Sequence, residues 1–125
     1  MAYELRFEGN GFFIEFTGLV SFDEIAEAND LLYTHAAWDT HQYQIWSFLD
    51  AGAIDGEKRD SRVISKVDER TLGDGRDSPV RIAFMSTNAK SNEIITAYLD
   101  AVDESRFVGT IVRTEEAARA FVKDA

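Results

Sequence analysis

The chain has 125 residues, a formal net charge of −10 and no cysteine. That length suits one domain, and a hydrophobic share of 45% is enough to build a proper core. The missing cysteines exclude disulfides, thiolate catalysis and Cys-ligated metals, while the acidic balance, with Lys and Arg scattered, argues against a nucleic-acid partner.

The opening MAYELRFEGNG places acidic and polar residues where a signal peptide needs a basic end and an apolar stretch. No apolar run approaches the roughly 20 residues of a membrane span. The expectation is a cytoplasmic protein with no membrane insertion.

Tyr3, Leu5 and Phe7 alternate with Glu4, Arg6 and Glu8, the period of a strand with one apolar face. EGNG (Glu8–Gly11) follows, with Asn10 and Gly11 expected to take the positive φ of a tight hairpin. Phe12, Ile14 and Phe16 line one face of the second strand, and Phe13, Glu15 and Thr17 the other. Gly18 is expected to break it. Ser21 and Glu24 then form a capping box, and Phe22, Ile25, Asn29, Leu32, Tyr33 and Ala36 recur at helical spacing.

The third strand organises the rest. An apolar run from Ile45 to Leu49 is stopped by Asp50, as in a strand buried on both faces, so Gln44–Leu49 is predicted as the middle strand of an open sheet. Val63, Ile64 and Val67 predict a helix over about Glu57–Leu72, closed by the turn GDGRDSP. Val80–Ser86 reads as the fourth strand, with Val80, Ile82 and Phe84 on one face. Ile94, Ile95, Tyr98, Leu99 and Val102 mark the next helix, and Phe107–Val112 the last strand. Thr114 caps a final helix whose Glu115 and Glu116 suit the helix dipole.

The fold class is therefore α/β, a single and mostly parallel sheet of about five strands with one antiparallel edge strand, in the order ββαβαβαβα. The second faces of strands two and four carry Phe13, Glu15, Thr17, Arg81, Ala83 and Met85, a half-polar set. Most helices are expected on the other face.

Enzyme motifs are missing: the sequence has no phosphate loop, no dinucleotide fingerprint and no nucleophile elbow. His35 and His41 lack the spacing of a metal pair, and no nucleophile accompanies either. Asp50 and Asp55 flank AGAI at the expected carboxyl end of the central strand, where ligands approach such sheets. They could hold a cation or work as an acid–base pair, yet Asp after a strand more often satisfies loop or helix N–H groups. Ser86, Thr87 and Asn88 hold the equivalent place after strand four, where backbone N–H groups could take a small anion; ordinary N-capping explains them equally well. Phe13, Trp46 and Met85 are candidates for a subunit contact if they face the thinly covered side, whereas Phe12, Phe16, Phe48 and Phe84 read as core.

The hairpin closed by Gly18, the apolar run ending in Asp50 and the final FVGTIVRTEEAARAFVK together resemble the SpoIIAA-like group, related to the STAS anti-sigma-factor antagonists and the SEC14-like proteins. The resemblance spans nearly the whole chain. It implies a wound sheet flanked by helices and an interaction or small-ligand module in preference to a catalyst. Antagonists of that group carry a phosphorylatable serine at the start of the helix after the central strand. Here that segment reads Ile54-Asp55-Gly56-Glu57, with Asp55 matching the aspartate, no hydroxyl beside it, and Ser61 the nearest one.

The reading that follows is a non-enzymatic module without cofactor or metal, binding a regulatory protein and forming a homodimer. The alternative is a carrier of a small apolar ligand or lipid, its mouth formed by Asp50, Ser86, Thr87 and Arg113.

Overall fold

The computed structural model describes residues 3–72, 76 and 78–123. Its elements follow the expected order: β1 (Tyr3–Glu8), β2 (Gly11–Ser21), α1 (Phe22–Tyr33), β3 (Tyr43–Asp55), α2 (Lys58–Leu72), β4 (Val80–Met85), α3 (Ala89–Ala101), β5 (Phe107–Val112) and α4 (Glu115–Val122). One sheet runs β1-β2-β3-β4-β5, so β3 is its middle strand. β1 is antiparallel to β2 and the other pairs are parallel. Short βα connections require this arrangement, because a parallel return needs a crossover helix.

Glu8 pairs with Gly11 across a turn of Gly9 and Asn10. The positive φ falls on Gly9, at 53°, and not on Asn10 or Gly11 as expected. A positive φ at the first of two turn residues matches the twist of a hairpin. Ser21 caps α1 as expected: its hydroxyl accepts from Glu24 N–H at 3.3 Å, and the Glu24 carboxylate accepts from Ser21 N–H at 3.2 Å.

Two strand boundaries differ from expectation. Gly18 does not end β2, which continues to Ser21 with Gly18 held at φ 70°. Asp50 does not end β3, and AGAI is strand rather than loop. The cause is a register slip. Between Glu15 and Thr17, and again between Gly18 and Val20, two steps along β2 oppose three along β3. Such bulges bend a strand without ending it. The GDGRDSP turn falls largely on residues 73–75 and 77, outside the described residues.

Each sheet face has its own core. Phe12, Ile14, Phe16, Trp46, Ile82 and Phe84 pack with side chains of α1, α2 and α3. Phe13, Ile45, Ala83 and Met85 pack with Ala118 and Val122 of α4. Three helices thus cover one face and one covers the other, the asymmetry expected from the half-polar second face. Arg6 and Arg119 stand over the Phe13 ring, 4.1 and 5.2 Å from its centre, and Arg119 reaches Glu8 at 2.5 Å, tying α4 to the hairpin.

α2 turns an unexpected side inward. Val63 and Val67, predicted to pack, are 63% and 38% exposed, while Ser61, Ser65, Asp68 and Leu72 are buried. Both stripes have helical spacing, and the inward one is mostly polar because each polar group finds a partner. Ser61 Oγ donates to the Ile94 carbonyl at 2.8 Å and Ser65 Oγ to the Arg62 carbonyl at 2.7 Å. Asp68 accepts from tyrosines on two other helices. Buried serine hydroxyls with such partners cost little.

Candidate functional site

The residues expected at the carboxyl end of the sheet do not gather into one site. Asp50 and Asp55 are exposed strand residues, paired with Thr17 and Ser21 of β2. Ser86 is buried, with its hydroxyl accepting from Asn88 N–H at 3.4 Å. Asn88 caps α3 by accepting from Ser91 N–H at 3.1 Å. Thr87 and Arg113 are exposed. Among the described residues, no group of three or more His, Asp or Glu side chains is placed to hold a metal ion.

The subunit-contact candidates are also placed differently. Trp46 lies on the face covered by three helices, where Gln44 and Phe16 surround it. Phe13 and Met85 do lie on the second face, but α4 covers them. None of the three is exposed.

The start of α2 carries no hydroxyl before Ser61. Gly56 sits against Phe22 of α1: a Cβ placed there would lie 1.8 Å from the ring, so the close approach of the α2 entry to α1 depends on glycine. Ser61 is only 3% exposed and already bonded to α3. A kinase needs an accessible hydroxyl, and this one is shut inside.

The chemistry that the sequence reading missed lies under α1, α2 and α3. Asp68, 3% exposed, accepts from the Tyr98 hydroxyl at 2.6 Å on one oxygen and from the Tyr33 hydroxyl on the other. Burial pushes its carboxyl up to about 6, against the lowering effect of the two hydrogen bonds. The same burial and the carboxylate beside them raise both tyrosines. Asp68 borders a cavity of about 50 Å³ between the helices and the sheet, lined chiefly by aromatic and branched apolar side chains.

A polar chain leads to this cavity from the loop before β3. The His41 ring is buried, with Nδ1 at 2.5 Å from the Trp38 carbonyl and Nε2 at 3.1 Å from Gln44 Nε2. A carbonyl only accepts, so His41 Nδ1 carries the proton and Nε2 accepts from the Gln44 amide. Gln44 Oε1 in turn accepts from Trp46 Nε1 at 2.9 Å. Burial lowers His41 to about 4, with the Trp38 carbonyl opposing and Arg76 assisting. The imidazole is therefore neutral at physiological pH and acts as a fixed link in the core.

The sheet order, the helix placement and the run of elements define an α/β fold of the SpoIIAA-like type. No family model matches the sequence, and no curated protein matches it. Among solved structures the chain is similar to the anti-sigma factor antagonist SpoIIAA in its unphosphorylated form, with a TM-score of 0.60 and 14% identity, over 99% of this chain and 100% of that one. At that identity the likeness establishes the fold. No helix among the described residues is long and apolar enough to cross a membrane.

Proposed function

We propose that this protein is a non-enzymatic interaction module whose partner docks on α2, and that it works without a phosphoserine switch. The observation that carries this reading is the orientation of α2. Val63 and Val67, one turn apart, face solvent while the helix buries serines and an aspartate. The two valines stand among the exposed Lys58, Arg59, Arg62, Lys66 and Arg70, so the outer face of α2 offers an apolar spot rimmed by basic side chains, as contact surfaces often do. The whole-chain likeness to an anti-sigma factor antagonist lends support, as does the enclosed hydroxyl of Ser61.

The test is a partner capture from native lysate by the wild type and by a Val63→Glu, Val67→Glu variant. Both positions are exposed, so the variant keeps its fold. The expected outcome is one or more proteins held by the wild type and released by the variant; identical capture by both would remove α2 from the reading. Phe13, Trp46 and Met85 are buried and leave a homodimer to form through other surfaces; sedimentation of the same two proteins checks whether α2 is one of them.

A second reading, a carrier of a small ligand, draws on the cavity beside Asp68. Its volume of about 50 Å³ admits roughly three or four water-sized groups. That suits a small molecule and falls far short of an acyl chain.

A further inference from the structure

The cavity's polar wall is unusual in its charge. The Gln44, Ser61 and Asn29 side chains that line it are already engaged, with His41 and Trp46, with the Ile94 carbonyl, and with the Ile25 carbonyl. Asp68 is different. A carboxylate has about four acceptor sites, and the two tyrosines fill one on each oxygen. No Lys, Arg or His among the described residues forms an ion pair with it. A buried carboxylate without a counter-ion is costly, and a cation that reaches it recovers much of that cost.

The remaining wall suits such a cation. Phe22, Trp46, Phe48, Phe84 and Tyr98 all border the cavity, and aromatic walls attract ammonium ions through the ring quadrupole. We propose that this cavity binds a small organic ammonium ion, its nitrogen donating to the free acceptor sites of Asp68 and its short hydrocarbon body lying among these rings. The cavity is partly open to solvent, so a ligand can enter without unfolding the domain. This inference stands independently of partner docking on the outer side of α2.

Ionisation of Asp68 controls the affinity. The groups that face it are Tyr33 from α1, Tyr98 from α3 and Glu69 from α2 itself, while the sheet contributes the uncharged Gln44 and Trp46. Both tyrosines are raised and stay protonated, so Asp68 is the group that titrates. With its carboxyl near 6, the site is mostly neutral at pH 5 and mostly ionised at pH 7.

Ethylammonium chloride, with three heavy atoms, is the probe and ethanol its neutral counterpart, with the Trp46 indole N–H resonance as the reporter. The expected result is a saturable shift with the ammonium, binding at least about ten-fold tighter than the alcohol at pH 7 and about ten-fold weaker at pH 5. In Asp68→Asn the two probes bind alike at both pH values. An alcohol that binds as tightly as the ammonium, with no dependence on pH, overturns the assignment and leaves an apolar cavity. Absence of a saturable shift with either probe overturns it entirely. Should Asp68→Asn fail to fold, the comparison of the two probes across pH on the wild type decides by itself.

Discussion

The Ser61 hydroxyl donates to the Ile94 carbonyl at 2.8 Å, locking the first turns of α2 to α3 from the inside. Losing that bond in Ser61→Ala should cost about 1 kcal/mol, the usual net worth of one intramolecular hydrogen bond. Ser61→Glu, the usual imitation of phosphoserine, would bury an unpaired charge and should cost about 3 kcal/mol or more. Urea denaturation of both variants checks this. Partner capture by Ser61→Ala should match the wild type.

Gly56 and Phe22 form the close approach between α1 and the α2 entry. Gly56→Ala drives a methyl into the ring and should destabilise by about 1–3 kcal/mol, as overpacking does. Phe22→Ala removes the obstacle, so the double variant should be more stable than the sum of the two single losses implies. A double-mutant cycle from denaturation curves reads the coupling. Additive losses would show that Phe22 moves aside freely.

Asp68 gives the fold a pH dependence of definite sign. Its folded value, about 6, lies above the ordinary 3.8, so the folded state holds the proton more tightly. Its favourable contribution is complete below about pH 4 and is lost as the pH rises through 6. The shift of roughly two units corresponds to about 3 kcal/mol at most. Between pH 4.5 and 7.5 the wild type should therefore lose stability relative to Asp68→Asn, which has no such proton to release. Parallel stability profiles for the two proteins would contradict this.

His41 acts in the opposite sense over much of the same range. Its folded value is lowered from 6.5 to about 4, so its contribution is present above pH 6.5 and lost as the pH falls through 4. The direct measurement is the His41 ring carbon resonance. It should stay at its neutral position down to pH 5 and move only near pH 4. A midpoint near 6.5 would mean that the ring is hydrated and that the bond to Gln44 is not kept.

Much of the fold could be read from local pattern. Phe107–Val112 reads as a strand and is β5 from end to end, and the Ser21–Glu24 box starts α1 where it should. Both signals lie within a few residues of each other in the chain. The misreadings arise where the partner is distant. Gly18 and Asp50 look like strand ends, but the pairing of β2 with β3 carries both strands past them. On α2 the pattern offers two stripes, and a solitary sequence favours the valines. What buries Ser61 and Asp68 instead is the Ile94 carbonyl and the hydroxyls of Tyr33 and Tyr98, all at least 30 positions away. The Asp68 centre was legible only as a helical repeat of Ser61, Ser65, Asp68 and Leu72, with nothing local to say that it is enclosed.

The length of β3 has a consequence for how the molecule keeps to itself. β4 accompanies β3 only as far as Ser47, opposite Met85, so from Phe48 onward β3 has β2 on one side and, among the described residues, no strand on the other. An unpaired strand edge is a template for pairing with another chain, and side chains with charge are a common safeguard. Asp50 and Asp55 stand on that stretch, both exposed, and Ser91 Oγ occupies the Ile54 N–H at 3.0 Å. The two aspartates that resemble a catalytic pair in the sequence thus place negative charge on the stretch where a second strand of this chain would have to pair.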